Sequence, residues 1–226
     1  IGIDGPSGSG KTTLADAVAG HLRCPVVHMD DLFAGWDGLG SAAQLLHDQV
    51  LRPLSRGDSG AYRRWDWHAS EWAETVPVPW VPVLVVEGCA STVRPAGDLV
   101  TVRVWVEAAT DVRMARGLER DGEAFRPHWQ RWAAQERELF GADHTRDRAD
   151  LIDAHWTYFY DRDFFFTRLS TPHLQSRNNV PPGCGSITIS STSTGLGTHQ
   201  RRSRAASVRQ RQRIAAGAGI SRVTCR

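Results

Sequence analysis

Apolar residues in this chain fall into short runs separated by stripes at helical spacing. Ile1-Gly-Ile3 is a short β-type run. Leu14, Val18 and Leu22 then recur at i, i+4 and i+8, the spacing of one helix face laid against a sheet. Pro25 ends that helix, and Val26-Val-His-Met29 follows as a buried strand closing on Asp30-Asp31. Val83-Leu-Val-Val86, ending in Glu87-Gly88, and Leu99 to Val106 read as two further buried strands. Helical patterns fill the gaps. One is capped by Ser41 after a Gly-rich loop over 35–40, turns Leu45, Leu46, Val50 and Leu54 inward, and ends or kinks at Pro53. A second runs from Thr110 to about Arg120, and a third over residues 123–140, with Trp129, Trp132, Ala133, Glu136 and Phe140 at helical spacing and Gly141 as its stop. Strands and helices alternating at this spacing predict an α/β fold on a parallel sheet. Residues 57–80 break the alternation. They are tryptophan-rich and expected to be irregular, because Pro77, Pro79 and Pro82 exclude a central strand before Val83.

Composition divides the chain in two. All 25 acids lie in residues 1–163, against 17 basic residues, whereas residues 164–226 hold ten arginines and no acid. Beyond Ile152 the aromatic clusters Tyr158-Phe-Tyr160 and Phe164-Phe-Phe166 follow no period, and residues 171–226 are rich in Ser, Thr, Gly, Gln and Arg. The expectation is a folded domain over 1–155, then an extension over 156–226 that is disordered or non-native, as a frame-shifted gene end would be. A basic arm of this kind could also bind nucleic acid, though nucleic acid is not the expected partner. The opening at Ile1 lies inside a strand, so part of that strand is expected to precede it. No apolar run reaches the ~20 residues of a membrane span. The four cysteines form no C-x-x-C pair and no zinc or disulfide framework. These features point to a cytoplasmic protein.

The chemistry begins at Gly5-Pro-Ser-Gly-Ser-Gly-Lys-Thr12, which fits G-x-x-x-x-G-K-[ST], the P-loop. Glycines let backbone N–H groups close around a polyphosphate, and the loop hands the anion to a helix N-terminus. Gly5, Pro6, Ser7, Gly8, Ser9, Gly10, Lys11, Thr12 and Thr13 are therefore the nucleotide-binding candidates. Lys11 would reach the β- and γ-phosphates, and Thr12 would offer its hydroxyl to Mg²⁺. Lys11 is the only lysine in the chain, every other basic side chain of this class being arginine. A compact ammonium has been kept where it suits phosphate.

In an open parallel sheet, ligands bind beyond the carboxyl ends of the strands. Acids stand at three such ends: Asp4, the Asp30/Asp31 pair and Glu87. Phosphoryl transfer needs a base for the acceptor hydroxyl and carboxylates to hold Mg²⁺. Asp30 is the favoured base, with Asp31 as its competitor, and Glu87 the Mg²⁺ or water ligand. Arg113, Arg116 and Arg120 recur at i, i+3 and i+7 on one helix face. Arg116 and Arg120 are the candidates for a lid that meets the transferring phosphate, the alternative being a solvated face paired with nearby acids. Trp129 and Trp132 read as core, Trp65 and Trp67 as evenly divided between packing and substrate, and His28 as a satisfied core histidine.

The loop, then His28-Met-Asp-Asp-Leu-Phe33, Tyr62-x-x-Trp-Asp66 and Val86-Glu-Gly88 together resemble the uridine kinase family of P-loop nucleoside kinases over roughly residues 1–150. The Asp4-Gly-Pro-Ser-Gly form of the loop is also similar to cytidylate kinases. The resemblance implies a three-layer P-loop sandwich, ATP or GTP with Mg²⁺, and a small-molecule hydroxyl as acceptor. It implies Asp30 as the base for a nucleoside 5′-hydroxyl, and Asp31, Phe33, Tyr62, Trp65 and Asp66 around the sugar and base. It also implies a fifth strand, which Asp150-Leu-Ile152 begins; the expectation is that this strand and the final helix are absent or scrambled. The rival readings are a nucleoside monophosphate kinase using Arg63, Arg64 and Arg94, and a regulatory ATPase with no small-molecule acceptor.

Overall fold

A computed structural model describes residues 1–122 and 126–153 of the chain; the expectations for 123–125 and for the 156–226 extension lie outside them. Five parallel strands form the sheet: β1 (Gly2–Asp4), β2 (Val26–His28), β5 (Val85–Glu87), β6 (Arg103–Val106) and β7 (Leu151–Asp153), in the order β2-β5-β1-β6-β7. The central strands are short and almost wholly apolar because both of their faces are covered. Val85 and Val86 show this directly. Adjacent along β5 and pointing to opposite faces, both are buried, each in a different apolar cluster. On one face α1 (Lys11–Leu22) packs Leu14, Ala15 and Val18 against Ile3, Val85, Val104 and Val106. On the other, α2 (Leu39–Leu46) and Trp132 of α5 (Arg126–Asp143) close over Val27, Met29 and Val86. This is the expected three-layer α/β sandwich.

The fifth strand, expected to be absent or scrambled, is in place. β7 pairs with β6 from Val104↔Leu151 to Val106↔Asp153. Asp150 anchors its start, accepting the Arg103 backbone N–H at 2.8 Å and the Arg103 guanidinium at 3.2 Å.

Residues 57–80 are not irregular. β3 (Gly60–Asp66) and β4 (Glu71–Val78) pair antiparallel into a separate two-stranded ribbon, with a register shift between Arg63 and Trp65. Exclusion of a prolyl strand from the main sheet holds, but each strand of a two-stranded ribbon has a free edge. Pro77, opposite Ala61, needs no ladder donor on its outer side.

The helix expected from Ser41 begins two residues earlier. Ser41 lies within α2 and its hydroxyl donates back to the Gly38 carbonyl at 3.2 Å. Nor does that helix run evenly to Leu54. It widens into a π-helical turn over His47–Leu51 before the short α3 (Arg52–Ser55). The widening matches Pro53, whose ring crowds the preceding turn of an α-helix and which has no N–H to give it. Arg52 N–H instead reaches the His47 carbonyl, five residues back. α4 spans Thr110–Asp121, as expected within a residue. Gly141 does not stop α5, which continues to Asp143.

Candidate functional site

The P-loop runs from the end of β1 to the start of α1. Gly5 (φ 139°), Gly8 (φ 77°) and Gly10 (φ 103°) take backbone conformations that side chains disfavour. A Cβ on Gly5 would meet the Val106 carbonyl, and one on Gly8 would press on the Arg113 backbone, so both positions need glycine for space as well. Asp4, fully buried, fixes the entrance. Its carboxylate accepts the N–H groups of Gly5 (2.7 Å), Ala90 (3.0 Å) and Thr92 (2.8 Å) and the Thr92 hydroxyl (3.0 Å). Burial pushes its pKa up to about 6, against the pull of those hydrogen bonds. Asp4 therefore serves the loop's architecture.

Lys11 is buried, and its Nζ donates to the Pro6 carbonyl at 3.0 Å and to Cys89 Sγ at 3.6 Å. Burial alone would lower its pKa, but the net direction is up. The charges of Cys89, Glu136, Glu87 and Asp4 raise it, and burial in turn pushes the Cys89 thiol well above its usual value. The Thr12 hydroxyl lies 3.3 Å from both oxygens of Glu87. The two residues chosen for Mg²⁺ thus converge.

Three features fit a polyphosphate here. The loop's glycines leave a cradle that a Cβ would fill, the first-turn N–H groups of α1 are those a helix leaves unpaired, and the buried Ser9 hydroxyl has no hydrogen-bond partner. Among the described residues no group of three or more His, Cys, Asp and Glu gathers as a metal cluster. A P-loop ion needs none, because one hydroxyl, one carboxylate, phosphates and water complete its shell.

Glu87 has a further partner. His28 Nδ1 lies 2.7 Å from Glu87 Oε1, and this hydrogen bond raises the His28 pKa against a smaller lowering by burial. His28 is satisfied, but it is half-exposed at the sheet's edge and not part of the core.

The two acids after β2 do not continue the strand. Met29–Asp31 form a 3₁₀ turn. Asp31 Oδ2 accepts the Tyr62 hydroxyl from the ribbon at 2.9 Å, and burial together with Asp31 pushes the tyrosine's pKa up. Asp30 is exposed, and the Trp67 indole N–H donates to its backbone carbonyl at 2.9 Å. Its carboxylate lies within electrostatic reach of Cys89, which in turn touches Lys11. The pair is thus divided, Asp31 engaged by the ribbon and Asp30 exposed within reach of Cys89.

Other candidates take supporting places. Phe33 is buried in the core with Trp132 at its edge, 5.1 Å between centroids. Tyr62 is buried in the same core cluster as Phe33, with its hydroxyl on Asp31. Trp65 packs edge-on against Trp72 across the ribbon, and Asp66 accepts the N–H groups of His68 and Ala69, closing the ribbon's turn. Trp36, not singled out from the sequence, stacks on His128 at 4.4 Å and meets Trp67 and Trp132 edge-on. Together with Trp67 it makes an aromatic wall beside Asp30.

The arginine face of α4 meets the loop. Arg113, buried, donates to the Ser7 carbonyl at 3.1 Å and lies over the Trp129 ring at 5.5 Å. Arg116 donates to the Gly8 carbonyl at 3.3 Å. Arg120 is exposed one turn further on. Trp129 and Trp132 are buried, as expected. One residue read from the sequence only as part of a helical pattern meets the loop as well. Glu136 of α5, also buried, accepts the Ser7 N–H at 2.6 Å, the Trp132 indole N–H at 2.8 Å and the Cys89 thiol at 3.2 Å. Its only sequence signal was an acid on the apolar side of a helix that otherwise packs inward.

No protein-family model and no curated protein matches this chain. Solved structures do. A possible uridine kinase from Bacillus stearothermophilus is 21% identical, with 67% of this chain and 86% of that one covered and a TM-score of 0.48. A shikimate kinase from Bacteroides thetaiotaomicron is 18% identical over 75% of this chain and 93% of that one, with a TM-score of 0.42. An uncharacterized protein from Eubacterium ventriosum is 13% identical over 78% and 98%, with a TM-score of 0.43. The class defined by sheet order, loop and fold is α/β with a P-loop. No helix among the described residues is long and apolar enough to cross a membrane.

Proposed function

We propose that this chain is a P-loop kinase that transfers the γ-phosphoryl group of ATP or GTP to the hydroxyl of a small molecule, a nucleoside such as uridine or cytidine being the acceptor its residues suit best. The observation that supports the reading is the position of three candidate residues at the carboxyl ends of neighbouring strands. Lys11 and its loop follow β1, Glu87 ends β5, and Asp30 follows β2. The donor side is the P-loop with Arg113 and Arg116. The acceptor side is Asp30 with the exposed Trp67 beside it, an aromatic surface that suits a planar base, and Trp36 backing it edge-on.

Mg²⁺, held by Thr12 and, directly or through water, by Glu87, would neutralise charge on the β- and γ-phosphates. Lys11 and the loop's N–H groups hold the donor phosphates. Asp30 takes the proton of the acceptor hydroxyl as its oxygen bonds to the γ-phosphorus. The bond from that phosphorus to the β,γ-bridging oxygen breaks, and the nucleoside diphosphate leaves. Arg116, with Arg113 behind it, stands where the spread negative charge passes.

The basic residues available for a phosphate acceptor are engaged within the protein. Arg94 binds Asp143 at 2.8 Å, Arg64 binds Glu74 at 2.7 Å, and Arg63 donates to the Trp72 carbonyl at 2.7 Å. This favours a hydroxyl over a phosphate as acceptor. The test is release of ADP measured against nucleosides, nucleoside monophosphates, sugars and pantothenate. Stimulation by a nucleoside supports the reading, and no stimulation by any of them defeats it.

A further inference from the structure

The P-loop is gripped from outside by two helices, and the grip has a geometric consequence. Ser7 donates its N–H to Glu136 Oε1 at 2.6 Å, while its carbonyl accepts Arg113 at 3.1 Å. Glu136 Oε2 and the Arg113 guanidinium face each other at 3.7 Å, closing a ring around one residue of the loop. A trans peptide is planar, with its N–H and C=O pointing in opposite directions. Drawing the Ser7 N–H toward α5 therefore turns the Pro6 carbonyl the other way, where it accepts Lys11 Nζ at 3.0 Å. A single peptide plane connects a carboxylate on α5 to the chain's one lysine.

Glu136 is well fixed for such a task. It is 3% exposed, and the Trp132 indole and the Cys89 thiol hold the oxygen that holds Ser7. The helix that carries it also faces the acceptor side. Trp132 packs on Phe33 and Trp36, and Gln135 Nε2 donates to the Trp36 carbonyl at 2.9 Å. A shift of the acceptor wall would reach Lys11 by the same route.

We propose that Glu136 is a positioning residue for phosphoryl transfer, acting on Lys11 through the Pro6–Ser7 peptide. Its purpose rests on the kinase reading; its geometry can be tested apart from it. The lone lysine makes the test direct. In the full chain grown with ¹⁵N-labelled lysine, the Nζ of Lys11 gives the only lysine ammonium signal. Held by the Pro6 carbonyl and shielded from water, it exchanges slowly and is visible in a proton–nitrogen correlation spectrum. Glu136→Gln, which weakens the pull on the Ser7 N–H, is expected to broaden that signal or move it toward that of free lysine. Glu136→Asp keeps the charge but is one methylene short of Ser7, and is expected to do the same. Near-ultraviolet dichroism of the tryptophans verifies that each variant is folded, and either variant alone suffices for the decision. A Lys11 signal unchanged in a folded variant overturns the proposal. So does a signal lost with Gln and kept with Asp, because charge alone would then account for the effect.

The kinetic arm reads the purpose. Glu136→Gln should lower kcat about tenfold or more while the acceptor KM stays within about threefold, the split expected when a transition-state contact is lost. An equal loss in KM with kcat intact overturns it. A wild-type chain that shows the slow Lys11 signal but transfers phosphate to no acceptor would defeat the kinase reading while leaving the lever through Ser7 standing.

Discussion

Replacing Asp30 by Asn keeps the side chain's size and removes the carboxylate proposed as the base. The structure gives no substitute nearby on the same turn, because Asp31 is held by the Tyr62 hydroxyl at 2.9 Å and faces the ribbon. The full worth of a general base should therefore be lost, about 10²- to 10⁴-fold in kcat, or roughly 2.7–5.5 kcal/mol of barrier. Nucleotide affinity should stay within about threefold, since the donor contacts proposed lie on the P-loop and not on the turn after β2. Asp31→Asn is the matched control. Its amide oxygen can still accept the Tyr62 O–H, so the loss is that of a charged for a neutral acceptor, about 1 kcal/mol of stability. Turnover should fall by no more than a few-fold. The assay is initial-rate ADP release at saturating acceptor, with nucleotide affinity read separately by titration calorimetry. Normal turnover in Asp30→Asn together with a collapse in Asp31→Asn would refute the assignment. Loss of nucleotide binding in Asp30→Asn would refute the division of the cleft into donor and acceptor sides.

Further outcomes are expected elsewhere in the site. Lys11→Ala should abolish transfer and weaken nucleotide binding roughly 10- to 100-fold, the range of one or two hydrogen bonds from a charged group; binding unchanged by calorimetry would contradict it. Gly8→Ala forces a side chain into a left-handed conformation, with its Cβ 2.9 Å from the Arg113 carbonyl carbon and Cα. The expected cost is about 2–4 kcal/mol, visible as a lower melting temperature or an equivalent loss of nucleotide affinity. If neither moves, the loop is not held as described. Asp143 supplies a pH test. Burial raises its pKa, but Arg94, Thr145 and Arg148 bring the net below the usual carboxylate range. The native state then binds its proton less readily than the unfolded chain. Its stabilisation is complete above the unfolded value of about 3.9 and lost as pH falls through the lower folded one. The stability gap between wild type and Asp143→Asn, from urea melts, should hold down to about pH 5 and shrink from there toward pH 3. A constant gap would contradict it.

Much of the fold is legible in the chain because its signals are local. Gly5–Thr12 is a backbone conformation written in residue types, and the valines of β5 and β6 are apolar because both faces of those strands are buried. The ribbon of β3 and β4 was not legible. Its prolines argue only against a central strand, and what pairs Tyr62 with Val76 is a contact between two segments that each lack a clear period. Phe33 was expected near the substrate from the family resemblance alone; after the 3₁₀ turn of Met29–Asp31 it lies in the core. Glu136 was hidden for a different reason. Its meaning lies in Ser7, 129 residues away, and a helical pattern shows which face is inward but not what that face will meet. Arg113 and Arg116 share this limit, since their spacing places them on one face and only the fold brings that face to the loop.

The central claim is that one cleft brings a nucleotide's terminal phosphate to a hydroxyl beside Asp30. The measurement closest to it follows γ-³²P-labelled ATP in the presence of uridine or cytidine, with the products separated by chromatography. The account predicts label in a nucleoside 5′-monophosphate, dependent on Lys11 and on Asp30. Label found only in inorganic phosphate, whatever the acceptor, would contradict it, as would label accepted by nucleoside monophosphates and by no nucleoside.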